Sequence, residues 1–188
     1  MEILTRRLML RRRDRGGGEA QAVGFCDPAV RRHLAISAMD ADEAYSFAGQ
    51  FIRESRTEFR DAGTGAMAIQ PLGGAVAIGY CGLRPLPEEA RVLELMYSLR
   101  PGFWGLGLAT EAARAALDWG LDALAIDEVI GLCRPDNEAS GRVMQKLAMA
   151  YSGVTERYYG DRLKLFRLPR HLWRQGSVAA LSRPRRPG

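Results

Sequence analysis

Three glycines crowd one short stretch of this 188-residue chain, in the run R-P-G-F-W-G-L-G-L-A-T from Arg100 to Thr110. The residues before it, Arg91 to Leu99, read as a strand, and those after it repeat at helical spacing. A strand that feeds a glycine turn and then a helix aims backbone N–H groups at one point. Glycine accepts φ > 0 and lets a ligand come close to the main chain. The first N–H groups of a helix have no partner within it, and the helix dipole adds partial positive charge there. That chemistry favours an anion, and an anionic cofactor is the expected occupant. The spacing is neither G-x-G-x-x-G with a downstream acid nor G-x-x-x-x-G-K-[ST], so neither standard nucleotide motif is present.

Other elements must position this turn. Thr5 to Arg13 alternates, with Leu8 and Leu10 on one face and Arg7, Met9 and Arg11 on the other, as in an edge strand. Asp14 to Ala20 reads as a loop. Asp27-Pro28 starts a short helix through Val30 and Leu34. Asp40 or Asp42 caps a second, with Ala44, Phe47, Ala48, Phe51 and Ile52 on one face. Ala66–Gln70 and Ala75–Leu83 read as strands joined at Gly73-Gly74, followed by a loop at Pro85–Glu89 and a strand at Val92–Leu99. The helix after the glycine turn spans Leu108 to Asp122, with Leu108, Ala112, Ala115, Ala116 and Trp119 on one face. Asp127–Cys133 reads as a strand. Pro135-Asp136-Asn137 opens a short helix that turns Val143, Met144 and Leu147 inward. Tyr151–Tyr159 and Asp161–Leu168 read as a closing antiparallel pair around Gly160-Asp161. The order predicts a mixed α/β sheet in one domain over 1–175, with a basic, disordered tail over 176–188.

Composition excludes more than it assigns. Apolar residues make up 47% and charged residues 26%, as in ordinary globular proteins. Apolar runs are too short for a bilayer span, and the arginine-rich start lacks the apolar core of a secretory signal. Cys26, Cys81 and Cys133 fit neither a disulfide framework nor a zinc pattern, which points to a reducing cytoplasm. The net charge of +5 comes almost wholly from arginine, the only lysines being Lys146 and Lys164. Composition alone does not separate genomic codon bias from a surface that attracts anions.

Six segments in series resemble the GNAT superfamily of acyl-CoA N-acyltransferases, and within it the branch holding the ribosomal-protein N-terminal acetyltransferases. They are L-T-R-R-L-M-L-R-R at 4–12, D-P-A-V-R-R-H-L at 27–34, I-G-Y-C-G-L at 78–83, E-L-M-Y-S-L at 94–99, W-G-L-G-L-A-T-E-A at 104–112 and P-D-N-E-A-S-G-R-V-M-Q-K-L at 135–147. Two places depart from the family pattern. Trp104 stands where Arg, Gln or Lys usually opens the turn, and K-L-A-M at 146–149 replaces K-L-G-F.

The resemblance implies a mostly antiparallel central sheet flanked by helices, acetyl-CoA as acyl donor, an amine as acceptor and no metal. The pantetheine arm would lie between Glu94–Leu99 and Val129–Cys133, where the two strands splay. It would meet Met96, Tyr97, Ser98 and Leu99. The diphosphate would rest on the amides of Trp104, Gly105, Leu106, Gly107, Leu108 and Ala109. Asn137 would hydrogen-bond the arm or simply cap its helix. Arg142 and Lys146 would meet the 3′-phosphate or form a solvated helix face. Amides near Met96–Ser98 would donate to the oxyanion. Glu94 is the candidate base, through water; otherwise it is a surface carboxylate paired with Arg91 or another arginine. Ser140, one turn after Asn137, is the candidate acid for the leaving thiolate, and Tyr97 the second; bonding to the backbone and core packing are their plainer readings. Cys133 reads as a buried strand cysteine rather than a nucleophile. His33 and His171 read as surface histidines, and Tyr45, Phe47 and Phe51 as core rather than acceptor wall.

The expected activity is therefore acetyl transfer to a protein N-terminus or a small-molecule amine by direct attack in a ternary complex. A non-catalytic acyl-CoA-binding regulator is the alternative. A monomer or homodimer is expected in the cytoplasm, without a membrane. Nucleic acid is disfavoured because no aromatic residues interleave the basic runs.

Overall fold

A computed structural model describes residues 1–12, 25–34, 39–86 and 89–173. Its strands are β1 (Glu2–Leu4), β2 (Leu8–Arg11), β3 (Gly65–Pro71), β4 (Gly79–Leu86), β5 (Glu89–Leu99), β6 (Glu128–Cys133), β7 (Ala150–Thr155) and β8 (Leu163–Pro169). They form one sheet in the order β1-β2-β3-β4-β5-β6-β8-β7. All neighbours run antiparallel except β5 and β6. The helices are α1 (Pro28–Arg31), α2 (Ala41–Ala62), α3 (Leu108–Ala123) and α4 (Glu138–Lys146). This is the expected mixed, mostly antiparallel α/β sheet with flanking helices.

Local chemistry explains where elements begin. Asp27 accepts from the Ala29 amide at 2.9 Å and caps α1, which ends at Arg31, short of Leu34. Of the two candidate caps for α2, Asp40 is the one used. It accepts from the Asp42 and Glu43 amides, and Glu43 reaches back to the Asp40 amide. Gly63, at φ 69°, ends the helix in the left-handed conformation. Ala44, Ala48, Phe51 and Ile52 are buried as expected, whereas Tyr45 is exposed and belongs neither to the core nor to a cavity wall.

Four expectations are corrected. First, the opening strand is not Thr5–Arg13 and is not the edge. The Thr5 hydroxyl and amide bond back to Leu8, closing a turn, and β1 folds over β2 as the outermost strand. Second, β4 starts at Gly79 rather than Ala75, because residues 72–78 form a long turn closed by Gly74 on Pro71 and Ile78 on Ile69. Third, the loop at Pro85–Glu89 is mostly strand. β4 runs to Leu86 and β5 begins at Glu89, with a register shift at Pro85/Leu86 where proline has no N–H to give. Fourth, β7 and β8 are joined by residues 156–162 rather than a tight Gly160-Asp161 turn, and β8 slots between β6 and β7. The loop at 14–20 and the boundary at 175/176 lie outside the described residues.

The core lies between α3 and the sheet. Leu108, Ala112, Ala113, Ala116, Leu117 and Leu121 are buried there, while Ala115 and Trp119 are only partly covered. The buried stripe thus sits about one position away from the face the spacing indicated, and its alanines bring the helix close to β4 and β5. Burying one leucine such as Leu117 stabilises the fold by roughly 1.5–3 kcal/mol. This packing holds the start of α3 against the C-terminal end of β5.

Candidate active site

At the end of β5 the chain makes a short 3₁₀ turn (Pro101–Phe103) and enters α3. Gly105 at φ 75° and Gly107 at φ 74° take conformations that cost other residues about 1 kcal/mol or more. Gly107 is the N-cap and offers no side-chain bond to the helix start. Among the described residues, no acceptor takes the amides of Gly105, Leu106, Gly107, Leu108, Ala109 or Thr110. The Trp104 amide is different: it donates to the Pro101 carbonyl at 3.0 Å, so the donor set begins at Gly105. The Trp104 indole donates to the Leu99 carbonyl at 2.7 Å and pins the turn to the end of β5.

A second brace comes from the other end of the sequence. Glu111, in the first turn of α3, accepts from the Thr5 hydroxyl at 2.7 Å, the Arg7 amide at 2.8 Å and Arg7 Nε at 2.7 Å. Arg7 Nη1 donates to the Leu106 carbonyl at 2.9 Å. The glycine turn is therefore held by β1–β2 residues about a hundred positions away. Burial would push the Glu111 carboxyl up, but the bonds from Thr5 and Arg7 outweigh it and hold the group below its ordinary range.

The parallel strands β5 and β6 pair from Val92/Glu128 to Leu95/Gly131 and no further. From Met96 onward the facing edge of β5 has lost that neighbour, and a groove of about 330 Å³ opens. Tyr97, Ser98 and Leu99 line it, together with Trp104, Gly105, Gly107, Leu108 and Ala109 of the turn. Leu106 does not; its side chain is exposed. Asn137, Ser140, Arg142 and Lys146 close the α4 side. Asn137 Oδ1 accepts from the Ser140 amide at 3.1 Å, so the capping role is in place and Nδ2 is the atom left for a ligand. The Tyr97 hydroxyl bridges to the Ser140 carbonyl at 3.0 Å and its hydroxyl at 2.8 Å. Burial pushes the Tyr97 phenol well up, against the Ser140 bond, so it stays protonated at any ordinary pH.

Beyond Tyr97, Cys133 and Ser140 a second cavity of about 360 Å³ opens on the α2 face of the sheet. Glu94 and Met96 line it, with Phe25, Phe47, Phe51 and Tyr80. Phe47 and Phe51 thus serve both core and wall. Glu94 is only 7% exposed and not the surface carboxylate its residue type suggested. It sits opposite Arg84 in the β4–β5 register, Arg84 reaches Glu58 of α2 at 3.5 Å, and the Tyr159 hydroxyl donates to Glu94. Burial raises the Glu94 pKa; the Tyr159 bond and the Arg84 charge pull the other way without cancelling it. His33 lines both cavities and is half-buried rather than a surface residue, while His171 is exposed. Burial and then Arg32 lower its pKa and favour the neutral ring. Cys133 is buried, and burial raises its thiol pKa, so the protein builds no thiolate nucleophile there.

Sequence reasoning missed Arg7, Thr5, Glu111, Arg84, Tyr80 and Tyr159. None carried a signal in the sequence: a plain two-residue connection would set Arg84 opposite Arg91, and only the register shift at Pro85/Leu86 brings it opposite Glu94. Among the described residues no group of three or more histidine, cysteine or acidic side chains gathers as metal ligands, and no helix is long and apolar enough to cross a membrane.

A sequence model described as an acetyltransferase (GNAT) domain matches residues 7–150. The uncharacterized protein YkkB of Bacillus subtilis is 38% identical over 82 residues, 43% of this chain and 48% of that protein. The uncharacterized N-acetyltransferase YoaA of the same organism is 26% identical over 154 residues, 82% of this chain and 85% of that protein. An acetyltransferase from Agrobacterium tumefaciens superposes with a TM-score of 0.75 at 22% identity, covering 89% of this chain and 94% of that one. The ribosomal alpha-N-protein acetyltransferase RimL, solved in complex with coenzyme A, gives 0.74 at 16% identity, covering 90% and 98%.

Proposed function

This chain is an acetyltransferase of the GNAT family, and from that premise we propose that it carries acetyl from acetyl-CoA to an amine by direct attack within a ternary complex. One observation carries the reading: six unclaimed amides run from the glycine turn into α3, and five of their residues line a groove that meets a second cavity at Tyr97 and Ser140. Main-chain donors at a helix start suit a diphosphate, and side-chain identity matters little there, which is why Trp104 is tolerated. The bound thioester supplies the acetyl electrophile.

Each remaining step falls to a group already in place. The amides of Gly105 to Ala109 hold the diphosphate, Asn137 Nδ2 and the free edge of β5 meet the pantetheine arm, and Arg142, which lines the same groove, pairs with the terminal phosphate. Amides on β5 between Met96 and Ser98 donate to the carbonyl oxygen as it gains charge. Glu94, through a water, takes the proton from the attacking amine. A carboxylate of raised pKa is a stronger base than an exposed one, so burial serves this role. Tyr97, held by Ser140, donates to the departing sulfur. A thiolate with a pKa near ~8.5 is a good leaving group, so this donor contributes less than Glu94.

Calorimetry with coenzyme A and acetyl-CoA, followed by thiol release against an amine panel, tests the reading. Binding with acetyl transfer is the expected result. Absence of binding removes the proposal, and binding without turnover favours a regulatory acyl-CoA-binding protein.

A further inference from the structure

The second cavity is assembled so as to choose among amines. One wall is aromatic: Phe25 meets Phe47 at 5.6 Å and Phe51 at 5.2 Å edge-on, and stacks on Tyr80 at 5.5 Å. Leu34 and Met96 extend this surface. The cations that line the cavity are already answered. Arg134 binds Asp161 at 2.9 Å, Arg84 lies between Glu58 and Glu94, and His33 is held toward its neutral form. The carboxylates are not balanced in the same way. Glu54, Glu58 and Glu94 all share the one guanidinium of Arg84; beyond it Glu94 receives the Tyr159 hydroxyl and Glu54, exposed at the rim, the Gln50 amide, so this cluster holds more carboxylates than cations.

We infer that the acceptor is a small primary amine on an aromatic or branched apolar frame, without a carboxylate or phosphate of its own. This rests on the N-acetyltransferase reading above and narrows its acceptor. The ammonium enters against Glu54 and Glu94 and loses its proton there, while the frame lies on the phenylalanine wall. A carboxylate beside the amine would be desolvated among groups that cannot pair with it, since each described guanidinium in the cavity already has a carboxylate. A polyamine carries further cations that the cavity would have to desolvate along its aromatic wall, where Glu54 at the rim is the one carboxylate that α2 contributes among the described lining residues.

The test uses the full chain, saturating acetyl-CoA and thiol release with four acceptors: 2-phenylethylamine, phenylalanine, spermidine and an alanine-led tripeptide. Phenylethylamine and phenylalanine differ only in the carboxylate. The expected result is a kcat/KM for phenylethylamine at least ~30-fold above each of the others, a ratio of the size a lost or unpaired polar contact produces. Phe47→Ala is expected to raise the phenylethylamine KM about 10-fold, the effect of stripping apolar contact from a pocket, with the acetyl-CoA KM unchanged. Phenylalanine, spermidine or the tripeptide matching phenylethylamine overturns the inference and leaves the N-acetyltransferase reading standing. Turnover with none of the four also overturns it, and acetyl-CoA calorimetry then reports separately on the cofactor site. An unchanged phenylethylamine KM in Phe47→Ala removes the aromatic wall from recognition.

Discussion

The two halves of the active site are built by opposite means. The groove beside the glycine turn offers main-chain amides, supplied by one continuous segment from Gly105 to Thr110. The proposed acceptor cavity offers side chains from α2, β4, β5, the residues before α1 and the 156–162 connection. A main-chain site tolerates changes of side chain and fails when the backbone conformation changes. A side-chain site fails residue by residue and can be retuned without touching its neighbour. One fold can therefore keep its donor and vary its acceptor.

Breaking the turn should give the largest effect. Gly107→Val places a β-branched residue at φ 74°, and the added carbon meets Arg7 Nη2 at 3.6 Å. We expect coenzyme A affinity to fall by about 100-fold by calorimetry, the ~2.7 kcal/mol expected of strain at such a position, with the circular dichroism of the fold retained. Unchanged affinity would remove the phosphate assignment.

Glu94→Gln attacks the other half. Turnover should fall by about 10²-fold with coenzyme A binding intact, as for loss of a general base. Burial raises the Glu94 pKa, so in wild type the acid limb of kcat/KM should lie above the ordinary glutamate value, and the substitution should abolish it. Stability moves the opposite way. A carboxyl raised by folding contributes stability at low pH and loses it as pH rises through the raised value. Glu94→Gln should therefore gain melting temperature relative to wild type as pH rises. A flat difference from pH 4 to 8 would show that Glu94 is not penalised by burial.

The brace at Glu111 should give an intermediate result. Its folded pKa is depressed, so its contribution is present above the ordinary carboxylate range and lost as pH falls through the folded value. Glu111→Ala should cost roughly 1–3 kcal/mol at pH 7, the cost of stranding Arg7 and Thr5, and should loosen coenzyme A several-fold through the turn. A double mutant with Arg7→Ala should be less than additive. Tyr97→Phe should be the mildest, a loss of about 3–10-fold in kcat, because the departing thiolate needs little help.

The sequence carried the local geometry of the groove almost whole. Strand, glycine turn, helix and Asn137 with Ser140 one turn on are local patterns, and local patterns set local backbone. It did not carry the acceptor half. Glu94 alternates with Met96 and Ser98, but nothing in that alternation says whether its face meets water or α2. The Thr5 hydroxyl bonded to Leu8 turns the chain and delays to Leu8 a strand that the alternation began at Thr5, and the pattern alone put Tyr45 with Phe47.

What the chain fixed by itself was a turn suited to an anion, since glycine φ and free helix amides follow from adjacent residues. What only the tertiary structure decided was which side chains share a cavity, which arginines are already neutralised and which carboxyl loses its water. Those depend on contacts between segments some tens to a hundred residues apart, and pKa follows burial and neighbours rather than residue type.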